Sequence, residues 1–401
     1  MKRILFAATA VLALGTQASY AGGFMLMEQS AAGIGRANAG AGVFGDDASA
    51  AWFNPAGMTL LQGKRFQAGT ALGVVDAKYE SKNGGASDNA YDGIVPIPFM
   101  HTTLQLTDSV WAGLSIAVPF GMQTKYKDSF EAGVRGLSAK VQTIDVNPSI
   151  AFKVNDMFSV GVGVSAQYGS KELRTGQNSQ INKVKGSDVA WGVNAGILFK
   201  PRDNMRFGLA WRSSVKHDLD GHMYMPSGVT YDTTVPFKTP QTVILSGAWD
   251  VNPQWTVAGT FRWSDWSVFK TLSVNSRQGG GALATTEENW KDCYLFSLGA
   301  DYRYSDAWTF RAGAAYESST IREDKYRMTT VPDSSRLWLS VGATWHASKQ
   351  LQCDVGYLFL HALESSPITK LGQDRKPTDE VFGDYKRTNV HMFGVQAVYR
   401  F

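Results

Sequence analysis

Few of the ionisable residues in this chain fall at spacings that do chemistry. His217 and His222 with Asp218 and Asp220 crowd one stretch that could ligate a metal. They lack the matched spacing of a metal site, so a solvated loop and no metal are expected. Gly57 to Lys64 resembles a phosphate-binding loop, yet it carries one residue too many between its glycines and has Arg65 where a Ser or Thr is needed. No nucleotide and no other cofactor is expected. A Ser, His and acid set for a lipid hydrolase can be drawn in almost any chain of this size, and only geometry would give it meaning. The net charge of +4 is spread along the chain and makes no basic stripe, which excludes a nucleic-acid partner. What remains is a set of cations at matching parity, Lys291, Arg303, Arg311 and Arg336, able to meet an anion if the surrounding elements point them into an enclosed space.

The elements that carry them are strands. From about Lys64 onward, segments of roughly ten residues alternate apolar with small or polar side chains, and period two means β-structure. Phe158, Val160, Val162, Val164, Ala166 and Tyr168 share one face, and Ser159, Gly161, Gly163, Ser165 and Gln167 the other. Trp308 to Ser318 repeats the pattern with Arg311 and Glu317 on the wet face, an odd core for a soluble sandwich and an ordinary one for a lumen. Fourteen segments begin near Lys64, Pro96, Val110, Ser138, Phe158, Ser187, Arg206, Gln241, Gln254, Asp292, Trp308, Leu337, Leu351 and Asn389. The count is even, as bacterial barrels require. Tight connections (Asn155-Asp156, Asn252-Pro253, Ser305-Asp306) alternate with long ones (Lys171 to Gly186, His217 to Thr239, Thr271 to Trp290, Ser318 to Arg336, Ala362 to Thr388). This reading gives an all-β fold, a 14-stranded antiparallel transmembrane β-barrel over residues 63–401. A mean hydropathy of -0.18 is compatible with it, because only alternate residues meet lipid.

The two ends agree. Lys2 and Arg3, an apolar run from Ile4 to Leu14, and Ser19-Tyr20-Ala21 predict a cleaved signal peptide over residues 1–21, hence export toward the outer membrane. Phe393, Val395, Ala397, Tyr399 and Phe401 share one parity, which resembles the terminal strand that outer-membrane barrels present to the barrel assembly machinery. Residues 22–62 break the rhythm. They are rich in Gly and Ala yet hold Phe24, Met25, Leu26, Met27, Trp52 and Phe53, too apolar for a disordered tail. A barrel of fourteen strands is too wide for wall side chains alone to fill, so this stretch is expected to form a plug.

Several motifs carry a resemblance. Gly23 to Ser30, Gly33-Ile34-Gly35-Arg36-Ala37, Asp46-Asp47-Ala48-Ser49 and Asn54-Pro55-Ala56 are similar to the hatch of the FadL family, outer-membrane transporters of long-chain fatty acids and of aromatic hydrocarbons. The likeness continues through Trp191 to Leu198, Asn252 to Trp255, Trp263 to Ser267 and Trp308 to Gly313 to Phe401, covering the mature chain. It implies passive uptake of a hydrophobic molecule, a long-chain fatty acid first and an aromatic hydrocarbon second. The ligand would be taken up past lipopolysaccharide, held in the lumen, and released sideways into the outer-membrane lipids by a monomeric barrel. By the same resemblance Phe24 lies at the ligand pocket, Asn54, Pro55 and Ala56 adjoin an inward kink of the third strand, and Phe120 and Gly121 mark the lateral gate. A fatty acid brings a carboxylate that needs a donor-rich partner once buried. Lys291 and Arg336 are preferred because they sit toward the loop ends of their strands. A cation facing the pocket favours fatty acids, and a wholly apolar pocket favours toluene-like ligands. The stretch from Lys171 to Gly186 is short and polar for an outer capture groove, so Met223, Tyr224 and Met225 are the expected substitutes.

Overall fold

Alternation sends every second side chain outward, and the computed structural model closes those outward faces into one continuous wall. It describes residues 22–82, 84, 88–90, 93–372 and 376–401; the predicted signal peptide lies outside the described residues. Among them fourteen antiparallel strands form the ring: β1 (Lys64–Ser81), β2 (Ile94–Gln105), β3 (Val110–Ala117, resuming as Gly121–Lys125), β4 (Ser138–Lys153), β5 (Phe158–Gln177), β6 (Gln180–Arg202), β7 (Met205–Arg212), β8 (Thr242–Asp250), β9 (Trp255–Ser264), β10 (Cys293–Arg303), β11 (Trp308–Glu317), β12 (Arg336–His346), β13 (Leu351–Ala362) and β14 (Pro377–Arg400). β1 pairs with β14 from Arg65 opposite Arg400 to Ser81 opposite Gly383, which leaves no free edge at the seam. Leu298 is 73 % exposed on the outer face while Thr143 and Ser264 are 0 % exposed within, the inside-out arrangement of a wall bathed in lipid.

The long connections are more ordered than their composition suggests. Lys171 to Gly186 is not a loop: β5 and β6 stay paired out to Gln177 opposite Gln180, and Asn178, at φ 53°, makes the tight reversal. Polar residues can alternate in a ladder standing in water as well as apolar ones in lipid, so loss of hydrophobicity did not mean loss of strand. For the same reason β6 starts at Gln180 and β14 at Pro377, well before the expected Ser187 and Asn389. The stretch after β7 is a hairpin of Lys216–Tyr224 and Thr230–Lys238, whose first arm pairs back onto β6 from Asp220 opposite Ser187. It folds His217 inward, where the ring is fully buried against Gln167 Oε1 (3.1 Å). Asp218, Asp220 and His222 are exposed as expected of that loop, His222 with Asp232 at 2.9 Å.

Residues 22–62 are enclosed by the ring as two single-turn helices, α1 (Ala31–Ile34) and α2 (Ala50–Phe53), and a 3-10 turn, Pro55–Leu60. Ser30 caps α1 by accepting from Gly33 N (3.0 Å), and Asn54 caps the 3-10 turn by accepting from Ala56 N (3.1 Å). The wall meets this segment through glycines. A Cβ at Gly196 would stand 2.0 Å from Asn54 Oδ1, one at Gly313 2.3 Å from Arg36 C, and one at Gly356 2.4 Å from Ala31 O. Buried charges complete the seat. Arg36 reaches Asp46 at 2.8 Å and Asp301 at 3.1 Å, and Asp47 accepts from Ser30 Oγ, Ser49 Oγ and, across the lumen, Gln396 Nε2.

Candidate functional site: two chambers divided by the N-terminal arm

Pro119 gives β3 a residue without an N–H, and the ladder breaks there. On its β4 side the strand stays attached, with Thr143 N donating to Phe120 O (2.9 Å). On its β2 side pairing ends at Ile116 opposite Met100, so Ile94 to Phe99 of β2 face no partner from β3. Pro96 and Pro98 in that stretch suit an edge, since neither has an N–H to leave unsatisfied. The backbone groups β3 turns away from β2 are met by the N-terminal arm. Leu26 N donates to Pro119 O (2.8 Å), Gly121 N donates to Phe24 O (2.9 Å), and Met25 forms a bridge with Phe120. Gln29 Nε2 adds a bond to Val118 O (2.9 Å). The wall is therefore interrupted between β2 and β3, and the arm holds one lip of the interruption.

Phe24 is 2 % exposed. Its ring lies 4.8 Å from Trp266, 5.8 Å from Phe237 and Trp290, 6.3 Å from Phe120 and 6.4 Å from Phe269, the separations at which aromatic pairs attract. Phe24, Phe269, Leu272 and Trp290 wall a chamber toward the long-loop end, and Lys171 lines it too. Lys171 is 8 % exposed, with Nζ 5.5 Å from the ring centres of both Phe237 and Phe269, where ring faces stabilise a cation. Among the described residues no carboxylate stands within ion-pair distance; Glu288 acts on it from further away. Glu288 accepts from Trp290 Nε1 (3.2 Å), and burial pushes its carboxyl up.

The next residues of the arm, Met25 to Met27, line a second chamber together with Pro119, Phe120, Asn194, Arg212 and Arg262. Phe24 thus stands between the two spaces. Each holds about 60 Å³, room for a few waters, so an acyl chain enters either only if its walls part. Nearby, Glu28 is fully buried, with both carboxylate oxygens lacking a hydrogen-bond partner, and burial pushes it up to about 7.

The residues singled out from the sequence are not all brought together. Phe24, Phe120 and Gly121 meet at the β3 break, as described. Pro55 lines the second chamber with Phe120, but Asn54 and Ala56 rest on the glycines of β5 to β7, Asn54 Nδ2 donating to Ile197 O (3.0 Å). Arg336 is buried in an ion pair with Asp333, and Lys291 is exposed; neither lines a chamber. Met223 is buried in the same apolar cluster as Phe24 and Met225 packs against it, while Tyr224 is exposed. Lys171 and Arg212 were missed. Lys171 continues the inward parity of Ser159 to Gly169 by one more step, a signal hidden by reading a loop there. Arg212 shares the parity of Arg206 and Gly208 and carried no motif.

Residues 12–401 match the family model described as outer membrane protein transport protein (OMPP1/FadL/TodX). A long-chain fatty acid transport protein of Escherichia coli O6:H1 is 33% identical over 404 residues, spanning 88% of this chain and 90% of that protein. Among solved structures, a Pseudomonas aeruginosa FadL homologue superposes with a TM-score of 0.86 at 24% identity, covering 94% of this chain and 100% of its own. The Ralstonia pickettii toluene transporter TbuX gives 0.71 at 20% identity, covering 93% and 98%.

Proposed function

This chain belongs to the outer membrane protein transport family (OMPP1/FadL/TodX), and from that premise we propose that it carries long-chain fatty acids passively across the outer membrane. A family of transporters leaves the lipid-hydrolase reading without support. The observation that carries the substrate is Lys171: a buried cation with no ion-pair partner among the described residues, inside an aromatic-walled chamber, suits an acyl chain ending in a carboxylate. Toluene would leave that charge unmatched.

In this reading residues 22–62 act as the hatch. The ligand enters from the long-loop, extracellular end, its carboxylate meets Lys171, and its chain displaces the ring of Phe24. Movement of Phe24 loosens the arm from Phe120 and Gly121, and the interruption between β2 and β3 becomes the route into the outer-membrane lipids. Lateral release spares the chain a passage through water, about 0.8 kcal/mol for each CH₂. Asn54, Pro55 and Ala56 hold the far end of the hatch on β5 to β7 while the arm moves. The barrel works as a monomer, beneath lipopolysaccharide, after insertion by the barrel assembly machinery through its aromatic C-terminal strand.

The deciding experiment is uptake of labelled oleate and of toluene by a strain lacking its own transporters and producing this chain or its Lys171→Met variant. Oleate uptake should appear with the wild-type chain and fall about tenfold or more with the variant, as loss of a charge-assisted contact implies. A correctly assembled barrel that takes up toluene but no oleate would overturn the assignment.

A further inference from the structure

We infer that Arg212 is a second carboxylate station, in the chamber beyond Phe24, where a long-chain fatty acid rests before leaving the barrel; this rests on the fatty acid reading above. Arg206, Arg262, Arg311 and Arg336, also on the inner wall of the ring, each hold a carboxylate. Arg212 does not. Its Nη1 donates to Ser165 Oγ and its Nη2 to Trp52 O, both at 2.9 Å, and its guanidinium lies 3.7 Å from the ring centre of Trp52. Among the described residues no acid reaches it within ion-pair distance. Asp145 faces it from further off, fully buried, with one oxygen taken by Gln167 Nε2 (2.9 Å) and the other without a partner.

The surroundings suit an amphiphile. Met25, Leu26, Met27, Phe53 and Phe120 supply apolar lining for a chain, and Arg212, Asn194 and Gln167 supply polar lining for a head group. A guanidinium with no carboxylate bonded to it, only Asp145 at longer range, gains from an arriving carboxylate, because the planar donor fork meets it side-on. The arm separates this space from the chamber of Lys171, so displacement of Phe24 would pass the head group from one cation to the next. The chain would then lie against Phe120 at the β2–β3 interruption. Two cations in series keep the carboxylate matched throughout a low-dielectric route, where an unmatched charge is prohibitive.

The test is nuclear magnetic resonance of carboxyl-labelled oleate bound to the full-length barrel in nanodiscs, counting protein-bound carboxyl signals. Two signals per barrel are expected. Lys171→Met should remove one and Arg212→Gln the other, weakening its site about tenfold or more. Because Arg212 also touches the hatch, Asp145→Asn provides an independent arm: removing the opposing charge should tighten the Arg212-dependent site several-fold and leave octadecanol binding unchanged. A single signal in the wild-type barrel, survival of both signals in Arg212→Gln, or no response to Asp145→Asn would each overturn the station. If Lys171→Met alone leaves both signals intact, the first assignment fails and the Arg212 result is still read on its own.

Discussion

At the scale of single residues, the buried charges divide by whether a partner stands beside them. Arg336 and Asp333 satisfy each other, so Arg336→Met should strand a buried carboxylate, destabilise the long-loop end by about 3–5 kcal/mol, and lower folded yield in a heat-modifiability assay. Lys171 has no acid bonded to it, only Glu288 at longer range, so Lys171→Met should lower that yield far less, which separates an ion-paired structural cation from the one proposed to meet the ligand. Glu28 is the acidic counterpart. Burial pushes its carboxyl up to about 7, with Glu317 adding to the rise and Arg262 opposing it. The buried seat therefore holds the proton more tightly than the exposed chain does. Its contribution is complete below about pH 4.5 and is lost as pH rises through 7, at about 1.4 kcal/mol per pH unit in that window. Amide exchange in residues 24–30 should quicken between pH 5.5 and 8 beyond the intrinsic chemical rate, and Glu28→Gln should flatten that excess. An excess of the same size in Glu28→Gln would remove the carboxyl from the account.

At the scale of elements, the break in β3 matters because of what replaces its lost pairing. Met25 and Phe120 form an antiparallel bridge, which sets their Cα atoms roughly 4.5–5.5 Å apart, within reach of a disulfide. In a Cys293→Ala, Cys353→Ser background, Met25→Cys with Phe120→Cys should therefore oxidise readily, pin the arm to the lip, and nearly abolish uptake until reductant is added. Full uptake by the oxidised pair would mean that the arm need not leave β3. The break itself was legible, since Pro119-Phe120-Gly121 ends a clean alternation. Its partner was not. Met25 reaches Phe120 across most of a hundred residues, and an irregular segment carries no period from which such a pairing could be read. Pro96 and Pro98 were available as a sign of an unpaired edge, yet they read equally as a strand beginning. The extended ladders of β5 and β6 were lost for the opposite reason: their period persisted while the hydrophobicity that usually accompanies it stopped at Gly169.

At the scale of the whole molecule, the inward glycines change meaning once the ring is closed around its N-terminal segment. Read as a sequence, Gly161, Gly163 and Gly313 mark only the lumen-facing side of their strands. In the fold, Gly161, Gly196, Gly313 and Gly356 are the imprint of residues 22–62, absent side chains that let one backbone lie on another. Lumen width and glycine content were legible; the match between particular glycines and particular hatch residues was not, because it arises only when distant strands are brought around the same short segment. That match, with the charges of Arg36, Asp46, Asp47 and Asp301, is a seat that the proposed transport route would leave in place while the arm moves. Gly313→Val tests the seat without touching the arm. Its Cβ would fall 2.3 Å from the carbonyl carbon of Arg36, a backbone atom that cannot swing aside, so the overpacking should cost at least the 1–3 kcal/mol typical of extra methyls. At this position the wall does not depend on residues 22–62 for its ladder, and β11 should keep its pairing to β10 and β12. The variant should therefore assemble as a heat-modifiable barrel in which residues 22–62 are loosened, visible as trypsin cleavage after Arg36 and as ion conductance across a planar bilayer well above that of the wild-type barrel. A barrel that fails to assemble would show that the hatch is part of the folding core, and one that stays protease-resistant and non-conducting would show that the seat is softer than its glycines imply.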